Sequence, residues 1–417
     1  MAGTIDYRKL NREKLAAFFE GGDKRSQSFG FELEHALLHE DGSPATYSEA
    51  GGVRDVLERL SANYEDKTYE GGELVGMQRE GEAVSIEPAG QLEVSIGPCS
   101  SVNEIGLAYD SFRGRLDPIL SEYGLVAPLL GYNPASKAKD LELVPKYRYE
   151  CMTKFLGAQA YESICMMRGT ASLQVSIDFE DEADALKKLR VAEVISPVLS
   201  LICDNSPIYE GERRPFNMVR TAVWAGMNQD RVGTVPGSLD PGFSFAGYAD
   251  YIMTREAILV PDASAEHGWR YVADMTFDEV YADREMTDRE VEHALSMVWP
   301  DARLKNFVEI RPADAMPIEY CLSYVALVRA LFYEGNLDRL ASLFSDVRES
   351  DVRDAKEQLM AKGYEGIAYG RPVAEIADTL FEFARETATD QGRAFLEPLA
   401  ALVRERTTLA ERCLASL

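Results

Sequence analysis

Residues 28–38 read SFGFELEHALL. Side chains two apart on a strand share a face. Phe29, Phe31 and Leu33 therefore point one way, and Glu32 and Glu34 the other. Three further stretches repeat the design. In residues 85–97, SIEPAGQLEVSIG, the apolar side is Leu92, Val94 and Ile96, and the polar side is Gln91, Glu93 and Ser95. Glu87 stands just ahead of a break at Pro88 and Gly90. In residues 169–179, GTASLQVSIDF, Leu173, Val175 and Ile177 oppose Gln174, Ser176 and Asp178. In residues 303–312, RLKNFVEIRP, Val308 and Ile310 oppose Phe307, Glu309 and Arg311. Such alternation means one buried and one solvent-facing side, which favours an antiparallel sheet over a doubly covered parallel one. Helical patterns occupy residues 53–64, 102–123 and 182–203, then 318–333, 351–362, 373–387 and 396–417. The expectation is an α+β fold, a curved antiparallel β-sheet with helices packed on its outer face. It divides into a core over residues 1–316 and a helical C-terminal region over residues 317–417 packed on that core.

Composition narrows the function. The chain has 417 residues, 46% hydrophobic, with a formal charge of −26, so it can bury a large core and is not disordered. The negative surplus opposes binding to nucleic acid and to anionic membranes. The first residues show no basic start followed by an apolar run, and no stretch is apolar enough to span a bilayer. Six cysteines carry no Cys-x-x-Cys pair, which suits reduced thiols and a cytoplasmic protein. With four histidines, a three-histidine zinc centre is hard to build. No phosphate loop, dinucleotide fingerprint, nucleophile elbow or His-Glu-x-x-His occurs.

The working groups are therefore carboxylates and arginines. Two carboxylates at i and i+2 lie about 7 Å apart on a strand. Their repulsion is about 2.4 kcal/mol at an effective dielectric near 20, and about 0.6 kcal/mol in water. Solvated, the pattern costs little. Gathered on a concave sheet, the acids call for a divalent cation, and an all-oxygen donor set selects Mg²⁺ or Mn²⁺ over zinc. Other features have simpler explanations. His35 shares the apolar side of Phe31 and Leu33 and reads as a core histidine. Trp224 and Trp299 read as packing, Cys99 as a small buried group, and Arg148, Arg220 and Arg231 also fit surface ion pairs.

Taken together, FGFELEH (29–35), SIEPAGQLEVSIGP (85–98), VPKYRYECM (144–152), MMRGTASLQVSIDF (166–179), NSPIYEG (205–211), VRTAVWAGMNQDRVG (219–233) and LKNFVEIRPAD (304–314) resemble the plant-type glutamate–cysteine ligases. That family, also found in bacteria, belongs to the carboxylate–amine ligases with a glutamine-synthetase-like catalytic fold. GRPVAEIADTLFEFARE (370–386) extends the resemblance almost to the end of the chain. The resemblance implies magnesium on Glu32, Glu34, Glu87, Glu93 and Glu309, and a ligand or substrate contact at Gln174. It implies Arg311 on phosphate or the reacting carboxylate, and Arg220 and Arg231 facing nucleotide or glutamate. Arg148 lies in the matching Arg-Tyr-Glu segment. The reaction implied is ATP-dependent formation of γ-glutamylcysteine through γ-glutamyl phosphate, with ATP as co-substrate. The partners implied are small molecules only, glutamate, ATP and cysteine or another amine, in a monomer or homodimer. A mobile loop over residues 230–245 is expected to keep water from the acyl phosphate. The sequence departs from the family at Ala89, around Cys99, and at Pro312, which leaves room for a different amine acceptor. Two readings of another kind stand beside this one: a non-catalytic metal- or nucleotide-binding relative, and a glycosidase using paired carboxylates.

Overall fold

A computed structural model describes residues 5–24, 26–227 and 230–416. Its largest feature is an eight-stranded sheet. The strands are β1 (Phe29–His35), β2 (Asp66–Glu70), β3 (Glu73–Arg79), β4 (Glu82–Ile86), β5 (Leu92–Cys99), β6 (Ser172–Ile177), β7 (Ala302–Leu304) and β8 (Val308–Asp314). Their order is β7-β8-β6-β1-β5-β4-β3-β2, and every neighbouring pair is antiparallel. The four alternating stretches thus converge at the middle of one sheet, where β1 pairs with both β5 and β6.

Two parts of the sheet differ from the sequence reading. Residues 303–311 are not one strand but a hairpin, turning at Lys305–Phe307, where Lys305 N–H donates to Phe307 C=O at 2.8 Å. The second difference is β2 and β3, joined at Gly71 and Gly72, which both take positive φ. A Gly-Gly pair between two such runs is a hairpin signal. β2 is nonetheless exposed along most of its length, so it lacks the apolar alternation that marks the other strands.

The helices used below are α1 (Tyr7–Glu20), α2 (Val53–Leu60), α3 (Val102–Glu122), α4 (Tyr147–Leu156), α5 (Glu182–Ile202) and α6 (Val219–Ala225). The C-terminal ones are α7 (Ile318–Phe332), α8 (Glu349–Lys362), α9 (Val373–Thr387), α10 (Asp390–Glu405) and α11 (Leu409–Ser416). Side-chain caps mark the long ones: Ser101 accepts from Glu104 N–H at the start of α3, and Asp181 from Asp184 N–H at the start of α5. The helix expected over 396–417 is two, because Arg406 adopts positive φ and ends α10.

α3 packs on β5, and α7 packs on β6 and on α3. The apolar face they cover holds Phe31, Leu33, Val94, Ile96, Leu173, Val175 and Ile177, all buried. Each such side chain contributes roughly 1.5–3 kcal/mol of burial energy, an upper estimate. His35 lies here as read from sequence. Its Nδ1 meets Leu92 C=O at 3.0 Å and its Nε2 meets the Tyr109 hydroxyl at 2.9 Å. Burial lowers its pKa to about 4, so the ring is neutral.

α5 is buried on nearly all sides from Val191 to Ile202. β7 and β8 flank it, and α8, α9 and α10 pack on it too. The C-terminal helices therefore share one continuous apolar cluster with the sheet. α5 also carries a buried acid, Glu193, which accepts from Val235 N–H at 2.9 Å and from the Ser238 hydroxyl. Gly237 N–H donates to Glu349 at 2.5 Å. Two carboxylates thus hold the middle of the stretch expected to be a mobile loop.

Candidate active site

The polar face of the sheet floors a cavity of about 430 Å³. Register builds its floor. Glu34 of β1 lies directly opposite Glu93 of β5, while Glu32 lies between Ser95 and Gln174. Opposed side chains on antiparallel strands have Cβ atoms about 5 Å apart, and like charges there are destabilising. Glu87 joins them from the turn after β4. In that turn Gly90 N–H donates to Glu87 C=O at 2.9 Å and only Gly90 takes positive φ. Ala89 therefore sits without strain where the family usually has glycine. Gln91 holds the turn in place: it accepts from Ala89 N–H at 2.9 Å and donates to Thr170 C=O at 3.0 Å.

Burial, and then neighbouring carboxylates, raise the pKa of Glu32, Glu34 and Glu93. Burial, then the neighbouring Glu87, lifts Glu34 to about 7, even though Ser172 donates to it from both N–H and hydroxyl at 2.8 Å. Glu93 is pushed well above the usual carboxylate range by burial and by Glu32, Glu87 and Glu34. Glu32 is raised by burial and by Glu309, against the pull of Lys305, Arg303 and Arg311.

Cations face the acids. Arg148 of α4 donates to Ser296 C=O at 3.2 Å. Arg220 of α6 donates to Arg311 C=O at 3.0 Å, and Arg311 donates to the Gln174 side chain. Arg148, Arg220, Arg311 and Gln174 all line the cavity, along with Glu32, Glu34, Glu87 and Glu93.

Glu309 and Arg231 do not line it. Glu309 is fully buried. Arg303, Lys305 and Arg311 occupy both its oxygens at 2.6–3.1 Å. Those three cations hold its pKa well below the usual range despite burial. Its charge orients three cations, all of which line the cavity with the acids. Arg231 is likewise fully buried. It donates to Met297 C=O at 2.8 Å, to Glu256 C=O at 2.5 Å and to the Glu256 carboxylate at 3.0 Å. It braces the segment after α6, outside the lining of this cavity.

Other groups line the cavity beyond those the sequence assigned to it, Trp224 and Trp299, read there as packing, among them. Lys146 donates to Ile86 C=O at 2.8 Å beside the Tyr149 ring. Arg303 and Lys305 enter from the hairpin, and Trp224, Trp269 and Trp299, all the tryptophans in the chain, line the cavity. Lys146 and Tyr149 lie inside the quoted VPKYRYECM, so their signal was present. The tryptophans carry no spacing that separates a cavity wall from core.

A divalent cation fits the donor set by chemistry, since oxygens from several carboxylates on one cavity floor suit a hard ion. Among the described residues, no three His, Cys, Asp or Glu side chains converge into a ready-made cage.

The site sets acids on one face of the sheet against arginines across the cavity, and comparison supplies the class, a ligase, and the family. Residues 28–414 match the model of glutamate–cysteine ligase family 2, and the chain belongs to that family. It is 26% identical to the chloroplastic glutamate–cysteine ligase of Medicago truncatula, over 97% of this chain and 82% of that one. With the Arabidopsis thaliana enzyme it shares 25%, over 97% and 79%. Its fold is similar to that of glutamate–cysteine ligase from Francisella tularensis, crystallised in complex with AMP. There the TM-score is 0.58 and the identity 12%, over 94% of this chain and 85% of that one.

Proposed function

We propose that this chain joins the γ-carboxylate of glutamate to the amine of cysteine at the expense of ATP, with Mg²⁺, in the cytoplasm. One observation carries the site assignment: the register that sets Glu34 against Glu93, with Glu32 and Glu87 beside them and Arg220 and Arg311 across the cavity. Mg²⁺, held by these carboxylates when bound, neutralises triphosphate charge. The chain's own residues do the rest by position and charge. Arg311, braced by Glu309 and Gln174, and Arg220, which donates to the Arg311 carbonyl, face charge that grows on the transferred phosphoryl group. The γ-carboxylate oxygen attacks the γ-phosphorus, ADP leaves, and the amine then displaces phosphate from the acyl phosphate. No enzyme nucleophile is required. The cysteines are all free and five of the six are buried, which supports the reduced compartment.

The test is ADP release with Mg²⁺, ATP and glutamate against a panel of amines. Glutamate-dependent turnover, fastest with cysteine, is expected. Turnover with a different best amine reassigns the acceptor, and no glutamate-dependent turnover with any amine ends the reading.

A further inference from the structure

A second cavity, of about 460 Å³, lies between the sheet domain and α8. Arg220, Trp224, Trp299 and Arg311 line both cavities, so these four side chains form a waist between them. Two donors at the waist are buried and without a hydrogen-bond partner: Arg220 Nε and Trp224 Nε1. They sit four residues apart on α6, and the guanidinium lies 5.7 Å from the indole ring centre. A buried N–H without an acceptor is costly, and a pair of them at a waist asks for an anionic oxygen from a ligand.

The outer wall is different in character. It carries Arg353 and Lys356 against Asp301, Glu349 and Glu357, so it offers no net positive charge to a polyphosphate. Lys356 is engaged by Asp301, and Glu349 accepts from Gly237 N–H. Arg353 and Glu357 have no hydrogen bond or ion pair among the described residues. They are four apart on α8 and share one face of it. One free cation beside one free anion complements a zwitterion: a carboxylate for Arg353 and an ammonium for Glu357.

We propose that this chamber binds the α-amino acid substrate, glutamate on the reading above. Its α-carboxylate and α-ammonium lie at Arg353 and Glu357, and its side-chain carboxylate reaches the Arg220–Trp224 waist. The inference rests on the proposed function for the identity of the amino acid. It gives α8, and hence the C-terminal region, a part in substrate recognition, and it makes Trp224 a binding residue.

The test measures binding apart from turnover. Trp224 and Trp299 line the chamber, so intrinsic fluorescence of the whole protein reports titration with glutamate, with glutarate (no ammonium) and with 4-aminobutyrate (no α-carboxylate). Arg353→Ala and Glu357→Gln lie on an exposed helix face and introduce good helix formers. Loss of one charge-assisted contact is expected to weaken glutamate roughly tenfold in each variant. Glutarate binding should not respond to Glu357→Gln, nor 4-aminobutyrate binding to Arg353→Ala, and ATP affinity should stay within about twofold. Glutamate affinity unchanged in the double variant, or no glutamate binding to the wild-type protein with or without MgATP, overturns the chamber assignment. Glutamate binding that depends on Arg353 without glutamate-dependent ADP release leaves the chamber standing and removes the ligase reading. Normal ADP release with unaltered binding in the variants does the reverse.

Discussion

Replacing Glu34 with Gln should stabilise the metal-free protein at alkaline pH while abolishing its activity. Glu34 is held at about 7 against an ordinary 4.5 by burial and by Glu87. Between those two values the folded state holds a proton that the unfolded state has lost. Stability therefore falls as pH rises through that window, and the full penalty is present above it. At 1.36 kcal/mol per pH unit the difference amounts to ~3 kcal/mol, somewhat less after screening in a half-open cavity. Gln keeps the shape but can accept only one of the two Ser172 hydrogen bonds, a loss of ~1 kcal/mol. The variant should thus gain ~2 kcal/mol at pH 8.5 and lose ~1 kcal/mol near pH 3, where Glu34 is protonated in both states. Urea denaturation at the two pH values, in low salt with EDTA, reads the difference directly. Adding Mg²⁺ at pH 8.5 should then stabilise the wild-type protein more than the variant. A variant no more stable than wild type at pH 8.5 would show that Glu34 is not under like-charge strain, and the metal assignment would lose its physical basis.

Three other substitutions separate function from framework. Glu309→Gln leaves two buried arginines and the half-buried Lys305 without their counter-charge and should cost roughly 3–5 kcal/mol in denaturant melts; a change below 1 kcal/mol would mean solvent reaches the pair. Arg231→Met should destabilise the fold while leaving KM for ATP within about twofold, measured by ADP release; a tenfold rise in that KM would restore the nucleotide role. Arg311→Lys keeps the charge but cannot satisfy Gln174, Glu309 and a ligand oxygen together. It should lower kcat at least about a hundredfold with little change in melting behaviour, and near-normal kcat would remove Arg311 from the transition state.

Alternation in four short stretches was enough to identify β1, β5, β6 and β8 and to say which face of each is polar, because period-two burial is a local property of the chain. It could not say which carboxylates meet. That depends on register: Glu34 faces Glu93 only because β1 and β5 pair as they do, and a slip of one residue would have turned Glu93 into the core. The tryptophans show the same limit. Whether Trp224 packs in a core or walls a cavity depends on what α6 lies against, and its own neighbours in sequence do not record that.

Glu309 and Arg231 mark what pattern leaves out. Both stand at positions that the family resemblance gives to ligands, yet each is sealed by partners from elsewhere in the fold. Glu309 is met by Arg303 and Lys305 because the chain turns at Lys305–Phe307 into a hairpin, where the sequence reads as one continuous strand. The sequence by itself determined an acidic protein whose sheet has one face of acids and amides, since those follow from composition and from spacing along the chain. Tertiary structure alone decided which acids gather, which cations are left free to meet a ligand, and that α8 closes a second chamber. Charges do their work over a few ångströms of space, and only the packing of the sheet against its helices sets those distances.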